Sequence, residues 1–422
     1  VVAPFVFPTV AAWETGATDN NRPGAVEIWD DELEWMNENT PAPGKLERPD
    51  GEAINPTATY KTPPDGDYNY SEGAYGVQSW WDYGHWITVH GDRIPNANPF
   101  QDGATEAANY LLAPNETAAE DALSEQMNDN GETRYVMIDS QMANTNDKFA
   151  APTVFNNAVS FGDFINTVVS TQTRQPQQVR IRTQRYYESQ MTKLYSYHGS
   201  AAEPAPVVLD PQQQTFQTRD GGQTTIRTVG QGYQTFATLE SAKSYVAENP
   251  GAILGGVGSL PRERVDALNH YRLIKSHQSN SRRYIRNVRR AQQLTNASSF
   301  RALRNAPSWV KTFEKVPGAT VEGSGAPPET EVKATVDMRI PSNGRTFSYT
   351  QYATADENGE FEMTLPYSTA GYENFGPTNG YTNVSVRANG TYRFRTVDDS
   401  GSLYTDTNVT VTESQVVGAV DD

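Results

Sequence analysis

The sequence predicts a mixed α/β globular domain followed by an all-β sandwich. Three observations carry this. Helical and strand patterns alternate to about residue 278. Beyond Pro317, alternating apolar and polar runs are split by Asn-Gly turns. Aromatic residues make up 10% of the chain, with Tyr 22 and Trp 7, a content that requires packed cores and excludes wholesale disorder. At 422 residues the chain has room for two or three such units.

The elements follow in order. Residues from about Gly16 to Asp67 are rich in Pro, Asn, Gly and acids and read as loop around one helical phrase, Ile28 to Asn37. An aromatic-dense stretch, Tyr75 to His90, leads into a polar loop through Pro95 and Pro99. Thr117 and Glu120 have the spacing of a capping box, which opens a helix running to about Met127. A strand is expected at Arg134 to Ile138, then helices at Phe161 to Val169 and Arg185 to Tyr197, the latter with Tyr186, Met191, Leu194 and Tyr197 near helical spacing. Residues 200 to 235, with Gly221-Gly222, suggest a loop or loose hairpin. Leu239 to Asn249 reads as helix, Ala252 to Val257 as strand and Leu268 to Ile274 as helix. Ser281 to Arg290 holds five Arg and no acid and opens connecting helices that reach Trp309. Strands at Glu331 to Met338, Thr346 to Thr354, Glu360 to Leu365 and Thr391 to Val397, with turns at Asn343-Gly344 and Asn358-Gly359, form the sandwich. The expected division is therefore residues 1–280 as the α/β domain, 281–316 as an Arg-rich helical linker and 317–422 as the β-sandwich.

Asp and Glu number 51 against 34 Lys and Arg, a net charge of -17, which is the wrong sign for tracking phosphates, so nucleic acid is not an expected partner. Acid excess with scarce Lys is the pattern of a salt-adapted surface. With Cys 0, thiol nucleophiles, disulfides and cysteine-ligated metals are excluded. The five His show no metal-ligand spacing. Gly255-Gly256-Val257-Gly258 lacks the Lys-Ser/Thr of a phosphate loop, and Asp356-Glu357-Asn358-Gly359 fits a hairpin better than a calcium loop. No run reaches the ~18 apolar residues of a membrane span. Val1 to Trp13, almost wholly apolar, reads as the cut end of something hydrophobic upstream or, alternatively, as a buried strand.

Trp80-Trp81-Asp82-Tyr83-Gly84 is the most informative run. Each indole N–H only donates, and an ionised Asp82 only accepts. The set suits an aliphatic hydroxyl, whose oxygen accepts from the indoles while its proton goes to the carboxylate. Aromatic core beside a surface acid is the alternative reading.

This run, within Trp80 to Thr88 and followed by Arg93 to Gly103, resembles the catalytic subunit of archaeal oligosaccharyltransferase. The resemblance implies the extracytoplasmic portion of a cell-membrane enzyme that moves a glycan from a dolichol-linked donor to Asn in Asn-X-Ser/Thr of an acceptor polypeptide. It implies that Trp80, Trp81 and Asp82 bind the Ser/Thr at the second position beyond Asn. Asp139-Ser140-Gln141-Met142 resembles the D-x-x-M element of the family, placing Asp139 and Met142 beside that site. Four places on, where the family has an apolar residue or Lys, stands Asn146, with Lys148 just beyond. The Mn2+ or Mg2+ of the family and its ligands are expected in a membrane region this chain lacks, so the chain alone is expected to be inactive. A rival reading is a non-catalytic cell-surface or carbohydrate-binding module with Trp80 and Trp81 as sugar platforms. Six Asn-X-Ser/Thr triplets occur, at Asn69, Asn115, Asn296, Asn383, Asn389 and Asn408.

Overall fold

The computed structural model describes residues 23–56, 72–126, 132–170, 177–218, 220–229, 233–279, 281, 285, 308–397 and 403–419. The apolar Val1 to Trp13 stretch and the Arg cluster at Arg282, Arg283, Arg286, Arg289 and Arg290 lie outside the described residues.

Helix α1 (Pro23–Asn39) buries Trp29, Leu33 and Met36, an i, i+4, i+7 stripe, against the central sheet. Its last carbonyls are satisfied by Arg93, 1% exposed, whose guanidinium donates to the backbone oxygens of Met36, Asn37 and Thr40. Strand β1 (Gly76–Gln78) leads through the 3-10 turn Trp81–Tyr83 into α2 (Gly84–Val89) and β2 (Ile94–Pro95). Helices α3 (Ala104–Leu112) and α4 (Glu116–Gln126) follow, then β3 (Thr133–Asp139). The cap of α4 is Asn115, whose Oδ1 accepts from the Ala118 amide, rather than the expected Thr117.

The expected helix at Phe161 to Val169 is instead a 3-10 turn, Phe161–Asp163, and strand β4 (Ile165–Ser170), which pairs with β5 (Gln177–Arg182). Its Val168-Val169 pair favours the pleated state. Helices α5 (Gln184–Glu188) and α6 (Gln190–Tyr197) split the Arg185 to Tyr197 segment at Ser189. Next come β6 (Val207–Leu209) and a hairpin of β7 (Gln212–Gln217) and β8 (Gln223–Val229) closed by the Gly221-Gly222 turn. Strand β9 (Gln234–Thr235), helix α7 (Leu239–Glu248) and β10 (Ile253–Gly255) lead to β11 (Tyr271–Ser276), a strand where a helix was expected. Strand β12 (Val310–Lys315) occupies the end of the segment read as a helical linker. It is the second strand of the central sheet, whose order is β11-β12-β3-β1-β2.

The β-rich unit contains β13 (Ala319–Gly323), β14 (Glu331–Ile340), β15 (Arg345–Thr354), β16 (Phe361–Leu365), β17 (Arg387–Ala388), β18 (Tyr392–Val397), β19 (Leu403–Val409) and the short helix α8 (Glu413–Val417). Strands β14 and β15 form a ten-pair hairpin around Asn343-Gly344. The β13–β16 ribbon packs on the larger sheet, with the Phe361 and Phe394 rings 5.9 Å apart. Asn358-Gly359 closes a tight turn in which Asp356 Oδ1 accepts from the Asn358 and Glu360 amides, so that oxygen is already engaged by backbone. One apolar core runs from Trp29 through the central sheet to Val416.

The two units are joined by a buried ionic chain. Glu314 on β12, 0% exposed, accepts from Arg134 on β3 and from Arg272 on β11, and Arg272 also forks onto Glu413 of α8. The guanidinium charges hold the Glu314 carboxyl below its ordinary range despite burial.

Candidate functional site

In the central sheet β1 runs parallel to β2 and β3, so Gln78 and Asp139 end on the same side. The carboxyl ends of parallel strands are where open α/β sheets present ligand sites. The Trp-Trp-Asp-Tyr-Gly run leaves β1 at that end. Ser79 Oγ donates to the Met137 carbonyl and fixes the exit to β3. Gly84 closes the run because a Cβ there would meet the Ala97 carbonyl oxygen at 2.3 Å and Asn98 Cα at 2.9 Å. From below, Trp29 of α1 stacks on Tyr83 (ring centroids 4.3 Å), and both touch Trp86.

The polar groups form a chain. Lys148 Nζ donates to Asp82 Oδ2 at 2.6 Å and to the Tyr83 hydroxyl at 2.9 Å. The Tyr83 hydroxyl donates to Asp139 Oδ2 at 2.6 Å, and Asp139 Oδ1 accepts from the amides of Gln141 and Met142. Burial raises the Asp82 carboxyl above its usual range, opposed by the Lys148 charge, and burial raises Asp139 in the same way. Trp81 Nε1, a donor, and Asp82 Oδ1, an acceptor, are sealed from solvent with no hydrogen-bond partner, as is Gln78 Oε1 at the end of β1. Leaving such groups unpaired costs about 1–3 kcal/mol each.

The structure distributes the expected residues unevenly. Trp81 and Asp82 keep open hydrogen-bonding capacity. Trp80, 3% exposed, packs edge-on against Phe155 at 5.5 Å, leaving no face for a sugar ring. Asp139, 2% exposed, has both carboxylate oxygens occupied and holds Tyr83 rather than facing outward. Met142 lies in the core. Asn146, standing where Lys or an apolar residue was expected, accepts from Arg180 on β5. The cation beside Asp82 is instead Lys148, and Phe155 contacts both indoles, at 5.5 and 6.3 Å. Sequence reading left out Lys148, Tyr83 and Phe155 as site residues. The available signal was Lys148, one of only nine Lys in the chain, close behind the D-x-x-M element.

Comparison with known proteins follows the same lines. A model of the AglB core domain matches residues 27–143, and a model of the long peripheral domain of archaeal glycosylation protein B matches residues 318–420. The chain is 49% identical over 421 residues to a dolichyl-monophosphooligosaccharide–protein glycotransferase of Haloferax volcanii, covering 94% of this chain and 39% of that one. It is 27% identical over 383 residues to dolichyl-phosphooligosaccharide-protein glycotransferase 3 of Archaeoglobus fulgidus, covering 82% of this chain and 38% of the relative. The apo crystal structure of an Archaeoglobus fulgidus oligosaccharyltransferase superposes with a TM-score of 0.57 at 22% identity, over 93% of this chain and 42% of that one. At that identity the likeness shows the fold. A further structure of that enzyme is tethered with an acceptor peptide containing the NVT sequon, and a structure of an archaeal oligosaccharyltransferase AglB from the same organism is in complex with an inhibitory peptide and a dolichol-phosphate. Both family models thus describe archaeal glycosylation proteins and together span just over half of the chain. The chain belongs to the archaeal AglB oligosaccharyltransferase family. It spans about two-fifths of the length of these relatives. Its acid-rich composition fits the Haloferax relative.

Proposed function

We propose that this chain is the acceptor-recognition portion of an enzyme that transfers a lipid-linked glycan to Asn of Asn-X-Ser/Thr, and that it holds the hydroxyl at the second position beyond Asn. The observation that carries the reading is that two residues adjacent in the chain, Trp81 and Asp82, each keep a buried polar atom without a partner, the donor Nε1 and the acceptor Oδ1. The Ser/Thr oxygen accepts from the indole N–H and its proton is donated to the carboxylate. Lys148 favours the ionised form of Asp82 against the effect of burial and occupies Oδ2, leaving Oδ1 without a partner, while Tyr83 and Asp139 hold Lys148 in place. Phe155 and the two indoles supply an apolar wall for the Thr methyl.

Fixing the hydroxyl orients an Asn two residues away, so binding energy remote from the reacting atoms is used for positioning. Among the described residues no group of three or more His, Asp or Glu converges to hold a metal, and no step here is routed through the expected Mn2+ or Mg2+. No helix among the described residues is long and apolar enough to cross a membrane. Attachment to the extracytoplasmic face, use of a dolichol-linked donor and dependence on further residues for bond-making belong to the same proposal, supported by what the Archaeoglobus fulgidus structures are described as binding.

The test is peptide transfer by the full-length enzyme with acceptors bearing Thr, Ser or Ala at the second position. Thr and Ser accepted, Ala rejected, and rejection of all three by Asp82→Ala is the expected pattern. Equal use of Ala and Thr would overturn the hydroxyl-pocket reading. The isolated chain, given lipid-linked donor and either metal, is expected to be inert, and turnover by it would refute the division of labour.

A further inference from the structure

The four described Asn-X-Ser/Thr triplets are not equivalent in the fold. Asn115 caps α4 through its Oδ1, and Thr117 lies inside that helix. Asn383 donates its Nδ2 to Asn39 Oδ1, and Ser385 Oγ donates to the Ile274 carbonyl, so both ends of that triplet are committed. Asn408 lies within β19, in register with Arg393. Asn389-Gly390-Thr391 differs. Strands β17 and β18 both pair with β14, and between Ala388↔Met338 and Arg393↔Thr335 the four residues 389–392 face only Asp337 and Val336. The two-residue excess is a bulge that pushes the triplet out of the ladder. Its entry is pinned by the Asn389 amide donating to the Asp337 carbonyl, its apex is Gly390 at φ 118°, and all three residues are exposed.

We infer that Asn389 is itself an N-glycosylation site, the one described triplet that the folded chain presents to a transferase. This rests on the reading above, which puts the chain on the side of the membrane where lipid-phosphate-linked saccharides are consumed. In the step, Asn389 Nδ2 forms a bond to the anomeric carbon of the saccharide. The bond from that carbon to the lipid phosphate oxygen breaks, the phosphate leaves with the electron pair, and one Nδ2 proton passes to base. A locally open triplet outside the ladder is required because the amide nitrogen and the Thr391 hydroxyl must be gripped together. A helical cap does not offer both without unfolding, and Asn408, though exposed together with Thr410 near the end of edge strand β19, is held in ladder register with Arg393.

The full-length protein is produced in its own membrane host, purified and digested, and each triplet peptide is read by mass spectrometry. A saccharide mass on the Asn389 peptide, with Asn115 and Asn383 peptides bare, is the expected result. Asn389→Gln and Thr391→Val should each abolish the modified species and its shift in gel mobility, while Thr391→Ser retains it at lower occupancy. An Asn389 peptide found only unmodified, or changed only by the 1 Da of deamidation, in cells whose other extracytoplasmic sequon proteins carry saccharide would overturn the inference. So would equal occupancy at all four sites, because the fold would then select nothing. A strain lacking the gene separates the two claims: continued glycosylation of other proteins there would count against the enzyme reading alone, and the Asn389 peptide from the strain that carries the gene decides this one.

Discussion

Replacing Trp81 by Phe has opposite consequences for the free and the acceptor-bound protein. In the free chain the indole Nε1 is buried without a partner, so its removal ends an existing desolvation cost and loses only part of a half-buried ring. Stability should change by less than about 1 kcal/mol. In the complex the acceptor hydroxyl loses its donor inside a site closed to water, a loss of about 1–3 kcal/mol, roughly 5- to 150-fold in kcat/KM. The assay is transfer by the full-length enzyme to Thr, Ser and Ala acceptors, with the unfolding midpoint measured alongside. Asp82→Asn should produce a loss of similar size through the other partner atom, because the amide no longer offers a full carboxylate charge to the hydroxyl. Wild-type kcat/KM for the Thr acceptor in both variants, at unchanged stability, would refute the claim that these two unsatisfied atoms are the hydroxyl's partners.

Phe155→Ala should remove the apolar wall and bring a Thr preference of about fourfold, the ~0.8 kcal/mol of one buried methyl, toward parity in competing-peptide assays. Met142→Ala should mainly destabilise, by about 2–5 kcal/mol, since that side chain is 1% exposed, and a change confined to the Thr:Ser ratio would reverse these assignments. Arg272→Met leaves Glu413 without its bidentate partner and weakens the hold on Glu314, so denaturant unfolding should show a loss of about 3–5 kcal/mol; less than 1 would mean the ionic chain contributes no net cohesion. Lys311 is fully buried, its Nζ donating to the Tyr195 carbonyl, and burial holds its ammonium well below the usual range. The folded chain therefore binds fewer protons than the unfolded one below the ordinary Lys value of about 10.4, and this group makes stability rise with pH up to that value and fall as pH drops. In Lys311→Met that slope, up to about 1.4 kcal/mol per pH unit, should vanish between the folded and unfolded values, and an unchanged pH profile would show that the amine stays charged in the fold.

The sequence by itself determined what local chemistry determines. Two adjacent indoles beside an acid are three hydrogen-bonding groups of fixed sense within one turn, so the sequence alone singles out Trp81 and Asp82 as candidate partners for a hydroxyl, and the structure leaves Trp81 Nε1 and Asp82 Oδ1 unpaired. The α/β-then-β order was equally legible, because helical periodicity at Leu239 to Asn249 and the Asn343-Gly344 hairpin signal are short-range. The tertiary structure decided where charges go. Lys148 reaches Asp82 across 66 residues of chain, a pairing that no spacing rule contains. Strands β11 and β12 were misread as helix and linker because Arg272, Lys311 and Glu314 look like solvated positions, although all three are buried. Burial of Arg272 and Glu314 is tolerable only because Arg134 and Glu413 arrive from distant segments to pair with them, while the Lys311 amine, which burial favours in its neutral form, is met by the Tyr195 carbonyl. Asn115, Asn383 and Asn389 read alike along the chain, and only the tertiary pairing, which places a bulge between β17 and β18 opposite β14, sets Asn389 apart.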